Sequence, residues 1–232
     1  VANIARSPMS EQELTEVEDV VDLAVSSAMT QGGHVEIISE NPDLAGLNVT
    51  IPHKIDILKY AKDVSEEVSK IGAANTLKIT DNKIQAYNTD WLGFKISLMN
   101  YSLNASKQAL ILGSGGASLA VKYALKNLGI DFSIVSRNPS ESELSYSDLN
   151  ENILSESELI INTSPLGMFP KQDSSPNLPY EFINANHFCY DLVYNPEKTL
   201  FLKKSEKRGA RIKNGYEMLV LQAEESWKIW NS

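Results

Sequence analysis

The sequence predicts an α/β protein with two domains, the second of which is built on a parallel sheet with helices on both faces. In the second half of the chain, short apolar runs alternate with helical segments, as in parallel sheets that are buried on both sides. A glycine-rich turn, residues 113–117, stands between the first of these runs and the helix that follows it. With 232 residues, of which 42% are hydrophobic and 22% charged, the chain is long enough for two cores.

The first ninety residues are predicted to form a smaller α/β unit. Pro52 ends a strand because proline has no N–H to donate to a sheet, and Asp81-Asn82 stands between two alternating runs as in a hairpin. Asp90 precedes a helical run that reaches residue 98. The expected elements are a helix at 11–28, strands at 34–38 and 47–51, helices at 55–62 and 64–71, and hairpin strands at 75–79 and 83–87.

The second half is predicted to contain five strands. Helices separate most of them, as the right-handed crossovers between parallel strands require. A last helix of mixed apolar and acidic residues follows, and the two domains are expected to join near residues 90–105. The predicted strands are 109–112, 132–135, 159–161, 188–193 and 210–212, and the predicted helices are 117–128, 199–207 and 217–230.

The charge and the cysteine content argue against several classes of protein. Thirty acidic residues against 21 basic ones give a formal charge of −9, which disfavours a nucleic-acid-binding surface. No apolar run is long enough for a membrane helix, and no N-terminal stretch resembles a signal peptide. The single cysteine, Cys189, rules out an internal disulfide, and the three histidines lack the spacing of metal ligands. We therefore expect a cytoplasmic protein with no metal, nucleic-acid or membrane partner.

The glycine turn predicts a dinucleotide site of the Rossmann type. A strand at 108–112 runs into Gly113-Ser114-Gly115-Gly116-Ala117-Ser118 and then into a helix. Glycines in this order let the backbone approach a pyrophosphate, which binds to the free N–H groups of the helix N-terminus. Ser118 takes the third glycine position of the usual pattern, and a plain structural turn is the alternative interpretation.

The next strand favours NADP over NAD. An NAD site places an acidic residue about 20 positions after the turn, where it accepts a hydrogen bond from the ribose. Here the strand at 132–135 ends in Ser136-Arg137-Asn138, and arginine and hydroxyl donors suit a 2′-phosphate. Glu141 follows closely and would weaken this preference if it pointed inward. A solvated surface arginine is the alternative.

Lys54 and Asp90 are candidates for proton transfer. Each follows a predicted strand, so they face one cleft if the two strands belong to one sheet. Oxidising an alcohol by hydride transfer requires a group that accepts the hydroxyl proton, and a lysine beside a carboxylate can do so. The alternatives are a solvated lysine and an aspartate that caps a helix.

The chain resembles the shikimate dehydrogenase family from about residue 40 to its C-terminus. The resemblance depends on seven motifs in the right order, none of which is decisive alone. They are residues 46–54 (GLNVTIPHK), 72–77 (GAANTL), 88–90 (NTD), 113–117 (GSGGA), 162–168 (NTSPLGM), 191–196 (DLVYNP) and 214–222 (NGYEMLVLQ).

The resemblance implies the reversible, NADP-linked reduction of 3-dehydroshikimate to shikimate, in the pathway to chorismate and the aromatic amino acids. It implies that Lys54 and Asp90 form the catalytic pair. It implies substrate contacts from Thr50, Asn75, Asp90, Tyr194 and Gln222, with Tyr194 near the carboxylate and Thr50, Asn75 and Gln222 at the ring hydroxyls. Its cofactor residues correspond to Gly113, Ser114, Gly115, Gly116, Ala117, Ser136, Arg137, Asn138, Thr163, Ser164, Leu192, Val193 and Gly215.

Because Gln222 belongs to the substrate site, the resemblance also implies a discontinuous first domain. This substrate-binding and catalytic domain comprises residues 1–92 and the C-terminal helix at 216–232. Residues 93–215 form the Rossmann-like NADP-binding domain. A monomer and a homodimer are both compatible with the sequence.

The N-terminus departs from the family. Its members open with a strand followed by S-x-S, whose hydroxyls bind the substrate carboxylate. Here Ser7-Pro8-Met9-Ser10 has a different spacing and no apolar strand before it. This departure keeps open a non-catalytic nucleotide-binding paralogue or fragment, and Glu141 keeps open a quinate/shikimate dehydrogenase with relaxed use of NAD and NADP.

Overall fold

The structure is a computed structural model that describes residues 4–6, 44–81, 83–101, 103 and 108–232. The chain divides into two compact units, one formed by Val1–Thr89 with Gln222–Ser232 and the other by Asp90–Leu221. The helix predicted at 11–28 and the strand predicted at 34–38 lie outside the described residues. In the described part of the chain, no helix is long and apolar enough to cross a bilayer.

The first unit contains a mixed sheet of five strands in the order β1-β2-β4-β5-β3. The predicted hairpin is confirmed, since β4 and β5 are antiparallel, Thr80 pairs with Lys83, and Asp81 has a φ of 51°. The elements are β1 Ile4–Arg6, β2 Leu44–Asn48, a 3₁₀ turn Asp56–Lys59, β3 Asp63–Val64, α1 Glu66–Ile71, β4 Thr76–Thr80 and β5 Lys83–Tyr87.

Four predictions for the first unit need correction. The helix predicted at 55–62 is only a 3₁₀ turn, because the N–H of Lys62 bonds to the carbonyl of Ile84 and the chain joins β5 as β3. Helix α1 therefore begins at Glu66, where the side chain of Ser65 accepts a hydrogen bond from the Val68 N–H. The strand predicted at 47–51 is shifted to β2, and a strand, β1, does precede Ser7.

The second unit is a parallel sheet of six strands that runs in the order β11-β10-β9-β6-β7-β8. Numbered within the unit, this is the order 3-2-1-4-5-6 of the doubly wound dinucleotide-binding fold, so the predicted fold class is confirmed. The elements are α2 Asp90–Met99, β6 Gln108–Leu112, α3 Gly116–Asn127, β7 Phe132–Ser136, β8 Leu144–Ser145, α4 Glu151–Glu156, β9 Ser157–Asn162, a 3₁₀ turn Tyr180–Phe182, β10 Phe188–Asp191, α5 Leu200–Lys207, β11 Arg211–Lys213 and α6 Tyr216–Trp230.

Strand β6 is buried on both faces of this sheet. Ala109 and Ile111 belong to a core cluster with residues of α2 and α3, whereas Leu110 and Leu112 belong to a second cluster with residues of α4 and α5. Side chains of a strand alternate between its faces, so a continuous apolar run fits a strand that is covered on both sides. Cys189 lies in the second cluster.

Helix α6 packs on the sheet of the first unit through its C-terminal half. The indole N–H of Trp230 donates to the carbonyl of Leu77 in β4 over 2.9 Å. Gly46 in β2 makes this approach possible, because a Cβ there would lie 2.1 Å from Trp230 Nε1 and 2.4 Å from the Leu77 oxygen. This contact places Gln222 and Ser226, which lie earlier in the same helix, in the first unit.

Candidate active site

The carboxyl ends of β6 and β9 mark the point where the strand order of the second unit reverses. Ligands of open α/β sheets bind in the crevice at this point. Thr163, which follows β9, donates from its N–H and its hydroxyl to the carbonyl of Leu112 at 3.0 and 2.9 Å. Gly113 has a φ of 114°, and a Cβ on it would lie 2.9 Å from the Thr163 hydroxyl. The turn therefore requires glycine at this position.

The N-terminus of α3 can accept an anion. Gly115 is the capping residue, and no side chain caps the helix. A Cβ added at Gly115 would meet nothing within 4 Å, and Ser114 and Gly115 are exposed. Uncapped N–H groups beside open space fit the pyrophosphate of a dinucleotide. The sequence-predicted residues at 113–117 thus form a turn suited to the cofactor expected there.

The tip of β7 lies next to this turn. The hydroxyls of Ser114 and Ser136 are 3.2 Å apart, and the N–H of Asn138 donates to Ser136 Oγ at 3.2 Å. Arg137 and Asn138 are exposed, as is Glu141. The guanidinium of Arg137 is therefore accessible to an anion that extends from the glycine turn.

The ends of β9, β10 and β11 are held side by side. The N–H of Leu192 donates to the carbonyl of Asn162 at 3.0 Å, and the N–H of Gly215 donates to the carbonyl of Val193 at 3.2 Å. A Cβ on Gly215 would lie 2.1 Å from the Leu192 oxygen, so only glycine allows this approach. The predicted nicotinamide-lining residues of the second unit therefore share one edge of its sheet.

A buried carboxylate at this edge has no place among the residues predicted from the sequence. Asp191, the last residue of β10, accepts hydrogen bonds from Asn162 Nδ2 at 2.9 Å, the Val193 N–H at 3.0 Å and the Thr199 hydroxyl at 2.5 Å. Burial raises the pKa of Asp191 to about 7. Asp191 and Asn162 each begin one of the family motifs quoted above, but neither of them was assigned a role from the sequence.

In the first unit, backbone hydrogen bonds tie the segment after β2 to the segment before β4. The N–H of Ala74 donates to the carbonyl of Lys54 at 2.8 Å, and the N–H of Val49 donates to that of Asn75 at 2.7 Å. Lys54 is half-buried and Thr50 is exposed. The backbone of Lys54 is thereby fixed beside the segment that carries Asn75 and leads into β4.

Asn75 and Gln222, which are 147 positions apart in the chain, meet in the first unit. Asn75 Nδ2 donates to Gln222 Oε1 at 3.0 Å and to the Thr89 hydroxyl at 2.8 Å, while Asn75 Oδ1 accepts from the Thr89 N–H at 2.6 Å. All three residues are buried. Two predicted substrate contacts are therefore neighbours, and their amide groups have a fixed orientation.

Buried hydroxyls, which no sequence pattern singles out, surround this amide pair. Ser226 Oγ is 2.8 Å from Thr76 Oγ1 and 3.1 Å from Thr89 Oγ1, and it donates to the carbonyl of Gln222 at 2.9 Å. Hydroxyls in a helix and a strand have no distinctive spacing in a sequence. Only the packing of α6 brings them together.

Asp90 and Tyr194 belong to the second unit. Asp90 is buried at the first position of α2, where its charge interacts favourably with the helix dipole. Tyr194, three residues beyond β10, is 47% exposed. Their roles in catalysis and substrate binding stay predictions, as does the pairing of Asp90 with Lys54. Among the described residues, no cluster of three metal-ligating side chains occurs.

Comparison with known proteins identifies relatives along most of the chain. Residues 7–77 match the model of the shikimate dehydrogenase substrate binding domain. The chain is 42% identical over 213 residues to the shikimate dehydrogenase (NADP(+)) of Caldicellulosiruptor saccharolyticus, and the match covers 84% of this chain and 75% of the relative.

Solved structures give the same result. A chorismate mutase/shikimate 5-dehydrogenase fusion protein from Clostridium acetobutylicum superposes with a TM-score of 0.75 and 38% identity, covering 85% of this chain and 75% of that one. The shikimate 5-dehydrogenase of Thermus thermophilus, in complex with NADP(H) and shikimate, has a TM-score of 0.74 and 28% identity over 86% of this chain and 77% of that one. The resemblance predicted from the motifs is confirmed: the chain belongs to the shikimate dehydrogenase family.

Proposed function

We propose that this chain is an NADP-dependent shikimate dehydrogenase that catalyses the reversible reduction of 3-dehydroshikimate to shikimate, on the route to chorismate and the aromatic amino acids. The observation that carries the proposal is the uncapped glycine turn at the reversal point of the sheet, in a chain 42% identical to a protein named shikimate dehydrogenase (NADP(+)). Such an enzyme is an oxidoreductase that acts on a CH–OH group.

The cofactor residues divide into three groups along the carboxyl edge of the second sheet. The bound cofactor supplies a hydride in one direction and accepts it in the other. Open space and free N–H groups support the glycine turn as the pyrophosphate site, and the exposed Arg137 supports the tip of β7 as the 2′-phosphate site. The groups are Gly113, Ser114, Gly115, Gly116 and Ala117 for the pyrophosphate, Ser136, Arg137 and Asn138 for the 2′-phosphate, and Thr163, Ser164, Leu192, Val193 and Gly215 for the nicotinamide.

The substrate residues orient the ring for this transfer. Asn75 and Gln222 hydrogen-bond ring hydroxyls together with Thr50, and Tyr194 lies near the carboxylate. The bonds from Asn75 to Thr89 and Gln222 support this role, because buried amides that are already oriented discriminate between hydroxyl positions.

Lys54 and Asp90 carry out the transfer of the proton to and from the substrate oxygen. In the reduction, Lys54 donates a proton to the carbonyl oxygen as the hydride reaches its carbon, and in the oxidation it takes the hydroxyl proton. Asp90 holds the substrate hydroxyl and polarises Lys54.

The domain assignment is part of the proposal. Residues 1–92 with the helix at 216–232 form the substrate-binding and catalytic domain, and residues 93–215 form the NADP-binding domain. The compact units of the chain and the match of residues 7–77 to a substrate binding domain support it. We place the protein in the cytoplasm, which the lone buried Cys189 supports.

The direct test is turnover. Shikimate mixed with NADP⁺ and the protein should produce the absorbance of reduced nicotinamide, and the rate should fall when quinate or NAD⁺ is used instead. An order-of-magnitude preference for NAD⁺ would contradict the NADP assignment. Absence of turnover by a folded sample that binds NADP⁺ would support the non-catalytic alternative, which the departure at residues 7–10 keeps open.

Replacing Arg137 by alanine should raise the KM for NADP⁺ by about tenfold or more and leave the KM for NAD⁺ nearly unchanged, because a charge-assisted hydrogen bond to phosphate is lost. Steady-state kinetics with both cofactors measures the ratio. Arg208→Ala removes an exposed arginine at the C-terminal end of a different helix, α5, and serves as the matched control. An unchanged ratio of the two KM values in Arg137→Ala would refute the assignment.

A further inference from the structure

The carboxylate of Asp191 is the most unusual group at the carboxyl edge of the second sheet. It is fully buried, and no salt bridge reaches it from the residues that the structure describes. Burying a carboxyl without a cation is unfavourable unless hydrogen bonds satisfy its oxygens. The groups that donate to Asp191 therefore show which parts of the structure it holds in place.

The two oxygens of Asp191 serve different parts of the structure. Oδ2 accepts from the hydroxyl of Thr199, which also caps α5 by accepting from the Leu202 N–H at 3.3 Å. Oδ1 accepts from Asn162 Nδ2 and from the Val193 N–H. The Oδ2 side thus supports a helix, whereas the Oδ1 side faces the loops at the ends of β9 and β10.

Asn162, whose amide is oriented by Asp191, in turn orients Ser164. Its Nδ2 faces Asp191, so its Oδ1 faces the opposite way, where it accepts from the Ser164 N–H at 3.1 Å and from the Ser164 hydroxyl at 2.6 Å. Val193 in turn accepts the N–H of Gly215 on its carbonyl. One oxygen of Asp191 therefore orients three strand ends, all of which carry residues assigned above to the nicotinamide.

We propose that Asp191 is a positioning residue of the dehydrogenase reaction, which acts through Oδ1 to hold Ser164 and Val193 in the arrangement that receives the nicotinamide end of NADP. The inference rests on the proposed function, because that function assigns those residues to the cofactor. Asp191 is fully buried, so we assign it no direct contact with the substrate or the cofactor.

The ionisation of Asp191 supplies an independent readout. Its folded pKa of about 7 lies above the ordinary value of 3.8, so its contribution to stability is greatest below pH 4 and is lost as the pH rises to 7. The nearby acids Cys189 and Tyr180 both have pKa values raised by burial to about 12, so they stay neutral throughout this range.

The test compares three variants of the full chain by their affinity for NADP⁺, measured by calorimetry, and by their thermal unfolding. Asp191→Ala should weaken NADP⁺ binding by about tenfold or more, because the Asn162 amide and the Val193 N–H both lose the acceptor that orients them. Thr199→Val removes only the partner of Oδ2 and should change the affinity by less than about twofold, although it also lowers the melting temperature. Asp191→Asn keeps Oδ1 as an acceptor and should stay within about threefold of the parent affinity.

The melting temperature of Asp191→Asn minus that of the parent should be larger at pH 8 than at pH 5, because at pH 8 the parent carries a buried charge that the variant lacks.

If Asp191→Ala does not fold, Asn162→Ala is measured in its place, since that change also removes the acceptor of Ser164. Parent-like affinity in the alanine variants, or an equal loss in Thr199→Val, would overturn the proposal. The Arg137→Ala variant distinguishes failure of the proposed function from failure of this inference. If Arg137→Ala binds NADP⁺ as tightly as the parent, the cofactor site itself is wrong. If Arg137→Ala weakens binding but the Asp191 variants do not, only the role of Asp191 is wrong.

Discussion

Replacing Lys54 by alanine should lower kcat for shikimate oxidation by about 10²–10⁴-fold, the contribution typical of a general acid or base, while both KM values change only a few-fold. Without the amine, the hydroxyl proton must leave to water as the hydride is transferred. Binding depends on other side chains, so the loss falls on the chemical step. Steady-state kinetics with shikimate and NADP⁺ measures the two parameters separately.

The local structure makes this variant informative. The backbone of Lys54 is held by the hydrogen bond from Ala74, and the turn before it by the bond from the His53 N–H to the Thr50 carbonyl. Neither bond involves the lysine side chain, so the alanine variant should keep the fold. Lys59, an exposed lysine five residues later, is the matched control, and Lys59→Ala should leave kcat unchanged.

A second substitution distinguishes proton transfer by Lys54 from the effect of its positive charge. Arginine keeps the positive charge of Lys54 but does not release its proton at neutral pH, so Lys54→Arg should lose nearly as much activity as Lys54→Ala. If Lys54→Arg stays close to the parent rate, the role of this residue is to attract or orient the substrate. Near-normal kcat in Lys54→Ala would refute any direct role.

Local sequence patterns predict the elements that have a strong local cause. The run from 108 to 112 is apolar on both faces of a buried strand, and the glycines after it permit the turn that follows. Strand β8 and helix α4 were not predicted, and a strand of two residues is too short for a periodic signal. Residues 55–62 have helical spacing, yet the hydrogen bond from Lys62 to Ile84 draws the chain into the sheet.

In the candidate site, too, the features that could be predicted are those with a local cause. The glycine turn and the segment around Arg137 are each a short continuous stretch of sequence, so each can be recognised from neighbouring residues. The contact between Asn75 and Gln222 joins distant parts of the chain, and only the family resemblance predicted that both belong to one site. The role of Asp191 could not be predicted, since it depends on hydrogen bonds from Asn162 at the end of β9, Val193 after β10 and Thr199 at the start of α5.

Replacing Gly46 by alanine should destabilise the first unit by about 1–3 kcal/mol or more, the usual cost of inserting atoms into a packed site. The new Cβ would lie 2.1 Å from Trp230 Nε1, 2.3 Å from Trp230 Cδ1 and 2.4 Å from the carbonyl oxygen of Leu77. The indole could rotate away, but the Leu77 oxygen belongs to β4, which pairs with β2 at Leu47. The strands must therefore separate or the helix must detach.

Either response should also affect the substrate site, because Gln222 and Ser226 lie on the helix that Trp230 fixes. We therefore expect Gly46→Ala to lower the melting temperature by several degrees and to raise the KM for shikimate, with a smaller change in the affinity for NADP⁺. Trp230→Phe, which removes the indole N–H and its bond to Leu77, should destabilise less, since it adds no clash.

Gly115→Ala is the matched control for stability, measured without cofactor. Gly115 has a φ of −85°, and a Cβ there meets nothing within 4 Å, so the expected cost is only the roughly 0.5–1 kcal/mol by which alanine is a poorer N-cap than glycine, and the melting temperature should fall much less than in Gly46→Ala. The same chemical substitution thus has effects of very different size at two glycines, and the difference comes from the carbonyl and indole that face Gly46. A Gly46→Ala variant that melts like the parent would show that α6 does not dock on β2 and β4 as described, and with it the placement of Gln222 beside Asn75 would fail.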